Sequence, residues 1–270
     1  MAKIESAFFD LSYLEDLAAQ SSVVHKLDPR IKVVITAVFV LCVVSFDKYA
    51  ISALLPFVVL LLVIAGIANI PLDFIIRKLV VVSPFAIMVG IFNPFLDQQT
   101  IMHLGSIGIS GGIISFVSIL LRFSLTVGAM LVLIATAGFN SVCMAMVKLG
   151  MPKIFAVQLL MLYRYIFVFV DEGLRMFQAR TLRSFQKRAM SIKTFSYIIG
   201  QMLLRTIDRA QRIHLAMLCR GFDGTIRIRQ SLKITTSDIT VLILCLALLL
   251  FMRSYNIPVL LGSIFSDISA

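Results

Sequence analysis

Long apolar runs separated by short polar ones dominate the first half of the chain. Four of them, roughly 31–46, 49–70, 79–96 and 113–138, approach the ~20 residues that cross a bilayer core, the first and third being short. A fifth run, 154–170, is broken by Arg164, and a sixth, 239–252, spans only if its Ser/Thr flanks join it. Pro71, the glycines Gly105, Gly108, Gly111 and Gly112, and Gly150-Met151-Pro152 punctuate the runs. The glycines of 105–112 predict a flexible external turn. Pro56, Pro84 and Pro94 fall inside runs, which predicts kinked helices whose released carbonyls need other donors.

After residue 170 the pattern changes from uniformly apolar to amphipathic. Ile199, Leu203, Ile207 and Ala210 recur at helical spacing, with Arg205, Arg209 and Arg212 as the opposite stripe. Asp171 with Arg175 and Asp208 with Arg212 stand as i,i+4 acid-before-base pairs. Gly221 and Gly224 end the periodic segment. Two long helices are predicted, 154–188 and 194–220. Near the end of each lies a small-Arg-small tripeptide, Ala179-Arg180-Thr181 and Cys219-Arg220-Gly221, the arginines 40 positions apart.

Charge decides on which side these helices lie. Residues 171–236 hold 13 of the 25 Lys and Arg but only four acids (Asp171, Glu172, Asp208 and Asp223), which is nine of the eleven net positive charges. Lys3, Lys26, Arg30 and Lys32, then Arg77 and Lys78, then Lys148 and Lys153 mark alternate loops, whereas 97–112 has no Lys or Arg. The positive-inside rule therefore predicts a cytoplasmic N-terminus, and four spans return the chain to the cytoplasm near Gly138. If 154–170 also crossed, the basic block would lie outside. A crossing would also put Arg164 at the bilayer centre, at about 2.5–3.5 kcal/mol on insertion scales. The simpler topology keeps 154–170 at the interface as the root of a long rod.

Composition agrees with membrane embedding: 60% hydrophobic residues, 14% charged and a mean hydropathy of +1.00. Cys42, Cys143, Cys219 and Cys245 are scattered singly, without disulfide or zinc spacing. Met1 to Pro29 is mixed and polar, unlike a cleavable signal peptide. The expected organisation is a cytoplasmic N-terminal segment (1–30), a four-span bundle (31–138), a cytoplasmic module (139–236), and a final span with a short tail (237–270).

The ordered set of motifs resembles the T component of energy-coupling-factor (ECF) transporters, and is most similar to the CbiQ branch of cobalt importers. The two tripeptides, the second within Leu218-Cys219-Arg220-Gly221-Phe222, look like that family's paired Ala-Arg-Gly-type motifs. His25-Lys26-Leu27-Asp28-Pro29-Arg30-Ile31-Lys32, Lys148-Leu149-Gly150-Met151-Pro152 and Tyr163-Arg164-Tyr165-Ile166 followed by Asp171-Glu172 support the likeness, which covers roughly 14–253. Thr181 and Cys219 depart from it, standing where glycine and alanine are usual, and Arg183 competes with Arg180.

The resemblance implies an all-α integral membrane protein with about five transmembrane helices plus two long cytoplasmic amphipathic coupling helices. By the same resemblance, Ala179, Arg180, Thr181, Cys219, Arg220 and Gly221 dock two cytoplasmic P-loop ATPase subunits. A separate membrane subunit would bind the substrate, cobalt first, with nickel or a vitamin as alternatives. An arginine suits such a link physically, because its rigid fork of donors resists slippage and small neighbours let backbones approach.

Several chemistries are missing from the sequence. No G-x-x-x-x-G-K-[ST] occurs, so ATP hydrolysis belongs to partner chains. His25, His103 and His214 sit in separate segments without metal spacing, and no nucleophile-base pair stands out. The chain is thus expected to be non-catalytic, with no cofactor, no metal of its own and no nucleic-acid partner. Arg122 inside the fourth run is an intramembrane candidate, with pairing to a buried carbonyl or contact with a partner subunit as the plainer alternative. The rival from another class is a membrane scaffold whose basic helices bind anionic lipid.

Overall fold

A computed structural model describes residues 13–93, 100–104, 107–183, 191–224 and 235–254, with the side chains of 100–104 and 107–110 left aside. The described chain is an all-α membrane protein carrying one small β-hairpin. After a helical stretch at 13–18 its elements are α1 (Val23–Lys26), α2 (Pro29–Val44), α3 (Ile51–Ile67), α4 (Leu72–Gly90), β1 (Thr100–Leu104), β2 (Ile107–Ser110), α5 (Gly111–Ala137), α6 (Phe139–Lys148), α7 (Lys153–Arg183), α8 (Ile192–Cys219) and α9 (Thr236–Ser254). They divide into two compact units. One comprises Leu14–Ala145 with Ser231–Ala270, the other Met146–Gln230 together with Met1–Tyr13.

In the first unit, α5 is the central post against which α2, α3 and α4 pack. Its inner face carries small residues where neighbours come close. A Cβ at Gly128 would stand 2.9 Å from Leu61, and one at Gly90 of α4 would stand 2.7 Å from Phe116. Between membrane helices there is little hydrophobic driving force, so close van der Waals approach of this kind does the holding. Phe57 is fully buried between Phe39 and Phe46, edge-to-face at 5.6 and 5.5 Å.

The polar lead-in His25 to Lys32 is a structural knot at the start of α2. Asp28 caps the helix by accepting the Arg30 N–H at 2.9 Å, with Pro29 at the first helical position. The His25 ring donates from Nε2 to the Leu17 carbonyl at 3.0 Å and faces the Ser22 hydroxyl from Nδ1 at 2.8 Å. Lys32 is buried and donates to the carbonyls of His25 and Thr136, both at 3.1 Å. The Thr136 carbonyl belongs to the last turn of α5, where a cation also favours the helix dipole.

Prolines and helix ends follow from the same accounting of main-chain groups. Pro84 lies inside α4 and cannot donate to the Val80 carbonyl; the Ser83 hydroxyl does so instead at 2.9 Å. Pro56 is likewise inside α3, while Pro94 lies outside the described residues. α3 ends in a left-handed Asn69 (φ 54°), with Asn69 N–H bonded to Gly66 O and Ile70 N–H to Ala65 O, before Pro71.

One expectation is corrected and one conditional expectation is met. The region taken as a flexible turn at 105–112 contains strand β2, paired antiparallel with β1 (Met102 opposite Ile109, Leu104 opposite Ile107). Gly111 and Gly112 are buried and open α5 rather than belonging to a loop. The alternation Ile107-Gly108-Ile109-Ser110 is a short strand pattern that the glycine count obscured. Second, the Ser/Thr flanks do join the sixth run: α9 is continuous from Thr236 to Ser254, its start tied by the Thr235 N–H to Asp238 Oδ2 at 3.0 Å. Among the described residues three helices are long and apolar enough to cross a membrane, α5, α7 and α9; α3 is a shorter apolar helix.

Candidate functional site

The second unit contains α7 and α8, of 31 and 28 residues. They cross where Gly173 lets the Met202 methyl approach within 3.0 Å of where a Cβ would be. On one side of the crossing Glu172 accepts from Arg205 Nη1 at 2.6 Å and lies 3.9 Å from Arg209 Nη2. On the other, Phe177 stacks on Phe195 with ring centres 6.4 Å apart. Residue numbers rise along α7 as they fall along α8, so the helices run antiparallel through the crossing.

That geometry sets the two tripeptides apart. Arg180 lies seven residues beyond Gly173, roughly 10 Å along α7, and Arg220 lies 18 residues beyond Met202, roughly 27 Å along α8. Because the helices are antiparallel, the two arginines lie toward opposite ends of the crossed pair. Arg220 is exposed, Arg180 half-exposed, and neither has a side-chain partner among the described residues.

The local backbone of the two motifs differs. Ala179-Arg180-Thr181 is helical, and Thr181 returns its hydroxyl to the Gln178 carbonyl at 2.7 Å. Ala179 beside it leaves the surface low. Cys219-Arg220-Gly221 is the end of α8. Gly221 takes the left-handed conformation (φ 74°), its N–H bonds Leu218 O at 3.0 Å, and the Phe222 N–H bonds Met217 O at 3.0 Å. This is a Schellman cap, with Gly221 at the position that disfavours a Cβ. Arg220 is the capping residue itself, so its backbone is fixed by the turn that follows. Lys148-Leu149-Gly150-Met151-Pro152 repeats the device at the end of α6, with Gly150 at φ 117° and Met151 N–H bonded to Met146 O.

Beyond the crossing, α7 and α8 diverge around a groove of about 870 Å³. Val157, Met161 and Tyr165 line it from α7, Ile213 and Met217 from α8, with Glu172, Arg205, Arg209 and Arg212 also in its lining. The two stripes of α8 are used unequally. The arginine stripe turns toward α7, while Ile199, Leu203 and Ile207 are exposed; of that apolar stripe Ala210 alone lines the groove. Periodicity separates two faces but does not say which one meets a protein neighbour, and here the small Gly173 chose the contact. The expected i,i+4 pairs are not closed through their carboxylates either, since Arg212 Nε donates to the Asp208 main-chain oxygen at 3.3 Å. Glu172 was the residue missed. It lies among 13 Lys and Arg, and its partner is 33 positions away, beyond the reach of an i,i+4 argument.

The intramembrane candidates sit differently. Arg122 of α5 donates from Nη2 to the exposed Asp47 carbonyl in the loop after α2. Arg253 of α9 braces the same loop, donating to the Ser45 carbonyl at 3.0 Å with its guanidinium 4.5 Å from the Phe46 ring centre. Arg164 is exposed on α7 and does not line the groove. Among the described residues no three His, Cys, Asp or Glu side chains gather as metal ligands.

A membrane bundle built around one glycine-faced post, and a unit of two long crossed helices with exposed arginines, define an all-α membrane protein. The family described as cobalt transport protein, CbiQ, matches residues 20–234, and the chain belongs to that family. It is therefore a membrane component of the cobalt-transport type. An uncharacterized protein of Methanocaldococcus jannaschii is 28% identical over 234 residues, covering 82% of this chain and 80% of the relative. A second uncharacterized protein of that organism is 24% identical over 231 residues, covering 81% and 84%. A protein of Methanocorpusculum labreanum named as a fused cobalt transport protein CbiMQ is 28% identical over 90 residues, 33% of this chain and 15% of that longer one.

Proposed function

We propose that this chain is the transmembrane coupling subunit of an ECF-type importer. It would carry the motion of two cytoplasmic P-loop ATPase subunits to a separate membrane subunit that binds the substrate, cobalt. The observation that carries this reading is the antiparallel crossing of α7 and α8, which sets Arg180 and Arg220 toward opposite ends without side-chain partners among the described residues. Two separated docking points suit two ATPase subunits. A crossing held by Gly173 and Met202 lets force on one end reach the other. The chain is non-catalytic in this reading, and the relative whose name joins two cobalt-transport components in one protein is in keeping with a membrane partner.

The proposed topology has a cytoplasmic N-terminus, about five spans, and the module 139–236 on the cytoplasmic side, with 154–170 at the interface. α7 is by length and composition able to cross, but a crossing would carry the basic block outside.

Co-purification of the ATPase subunits with the full chain tests the docking roles. Arg180→Ala or Arg220→Ala alone is expected to reduce ATPase recovery at least tenfold, the loss of one charge-assisted bidentate contact. Arg175→Ala, an exposed arginine on the same rod, is expected to leave it within twofold. Equal losses at all three sites would instead favour a diffuse, salt-sensitive attraction.

A further inference from the structure

We infer that the groove between α7 and α8 binds an anionic phospholipid, its phosphate against Arg209 and Arg212 and an acyl chain along Val157, Met161 and Ile213. The inference rests on placing this unit at the cytoplasmic membrane surface. A volume of about 870 Å³ is that of a small-molecule site.

Charge and apolarity together specify the occupant. Arg205, Arg209 and Arg212 line the groove against one acid, Glu172, and Arg205 takes the shorter contact with it. Among the described residues Arg212 uses only Nε, on the Asp208 carbonyl, which leaves both its terminal nitrogens for a ligand. Behind these cations the wall is apolar. Of the wall residues, Ile154 and Phe169 are 66% and 44% exposed. A helix apolar all round needs lipid or a partner to cover it. An apolar partner helix in the groove would leave Arg212 facing no opposite charge and Arg209 only the distant Glu172. A phosphodiester on an acyl chain matches both the cations and the wall, and arginine pairs with phosphate through two parallel donors.

Native mass spectrometry of the full chain in mild detergent, with phosphatidylglycerol and phosphatidylcholine of identical acyl chains, is the test. One phosphatidylglycerol should be retained with about tenfold preference, the scale of one charge-assisted pair. Arg212→Gln should bring the preference to about unity while leaving the Glu172 contacts in place. Val157→Trp should reduce retention of both lipids by filling the apolar wall, and Lys193→Gln, outside the groove, should change nothing. Equal retention of the two lipids, a preference that survives Arg212→Gln, or a photo-crosslinker at position 157 captured by the membrane partner in place of lipid would each overturn it. ATPase recovery is scored on the same samples. Wild-type chain that recovers ATPases yet shows no lipid preference overturns the lipid site alone; loss of both overturns the coupling reading as well.

Discussion

Three cations of the bundle unit and the two tripeptide arginines of the crossed-helix unit are used in opposite ways. In the bundle unit, Lys32 donates to two main-chain carbonyls, Arg122 to that of Asp47, and Arg253 to that of Ser45. Each ties a helix end or loop to a neighbour, and Lys32 also satisfies a buried acceptor, the Thr136 carbonyl, that water cannot easily reach. In the crossed-helix unit only Arg205 and Arg209 meet a carboxylate, and Arg180 and Arg220 meet no side chain among the described residues. An arginine aimed at its own protein's carbonyls holds structure, whereas one left at a capped helix end is available to another chain. Residue type alone does not distinguish the two; the neighbours do.

The largest expected contrast comes from truncating one aromatic ring in each unit. Phe57 is completely buried between two other rings, so Phe57→Ala should destabilise the chain by about 3–5 kcal/mol. Phe177 is half-buried and touches one ring across the crossing, so Phe177→Ala should cost about 1 kcal/mol. Thermal unfolding of both variants in one detergent would check this. Equal shifts would mean that the crossed helices are packed as tightly as the bundle.

A smaller effect separates docking from stability. Gly221 has open space around its missing Cβ, so Gly221→Ala meets only the backbone penalty of a left-handed residue, about 1–2 kcal/mol. Hydrogen exchange at the Phe222 amide should quicken, and ATPase recovery should fall about five- to tenfold, with the unfolding temperature of the bundle unchanged. Slow exchange at Phe222 in the variant would show that the cap does not depend on glycine.

Much of this arrangement is legible in the residues. Asp28-Pro29 announces the start of α2 because a side-chain acceptor followed by proline suits few other places. Gly150 and Gly221 announce helix ends for the matching reason, and the run to Arg183 reads as one rod because nothing between Lys153 and Arg183 breaks it. The face by which α8 meets α7 was not legible. It depends on a single glycine 29 positions from Met202, and periodicity separates the exposed Ile199–Leu203–Ile207 stripe from the arginines without saying which of them meets α7. The short strand β2 was hidden for a related reason: its glycines suit a turn as well as a hairpin.

The finest test concerns Glu172, the acid that turns two arginines of α8 inward. Arg205 and Arg209 are 60% and 42% exposed, so solvent screens the pair and its contribution is at most about 1 kcal/mol. Glu172→Gln keeps the size and a hydrogen-bond acceptor but removes the charge. The variant should therefore unfold within a few degrees of the parent at low salt and together with it at 1 M salt, where the screening length is about 3 Å. If the gap persists at high salt, Glu172 contributes through packing at the crossing. If the variant unfolds far below the parent, the pair is more sheltered than these exposures allow, and the crossing depends on charge as much as on Gly173 and Met202.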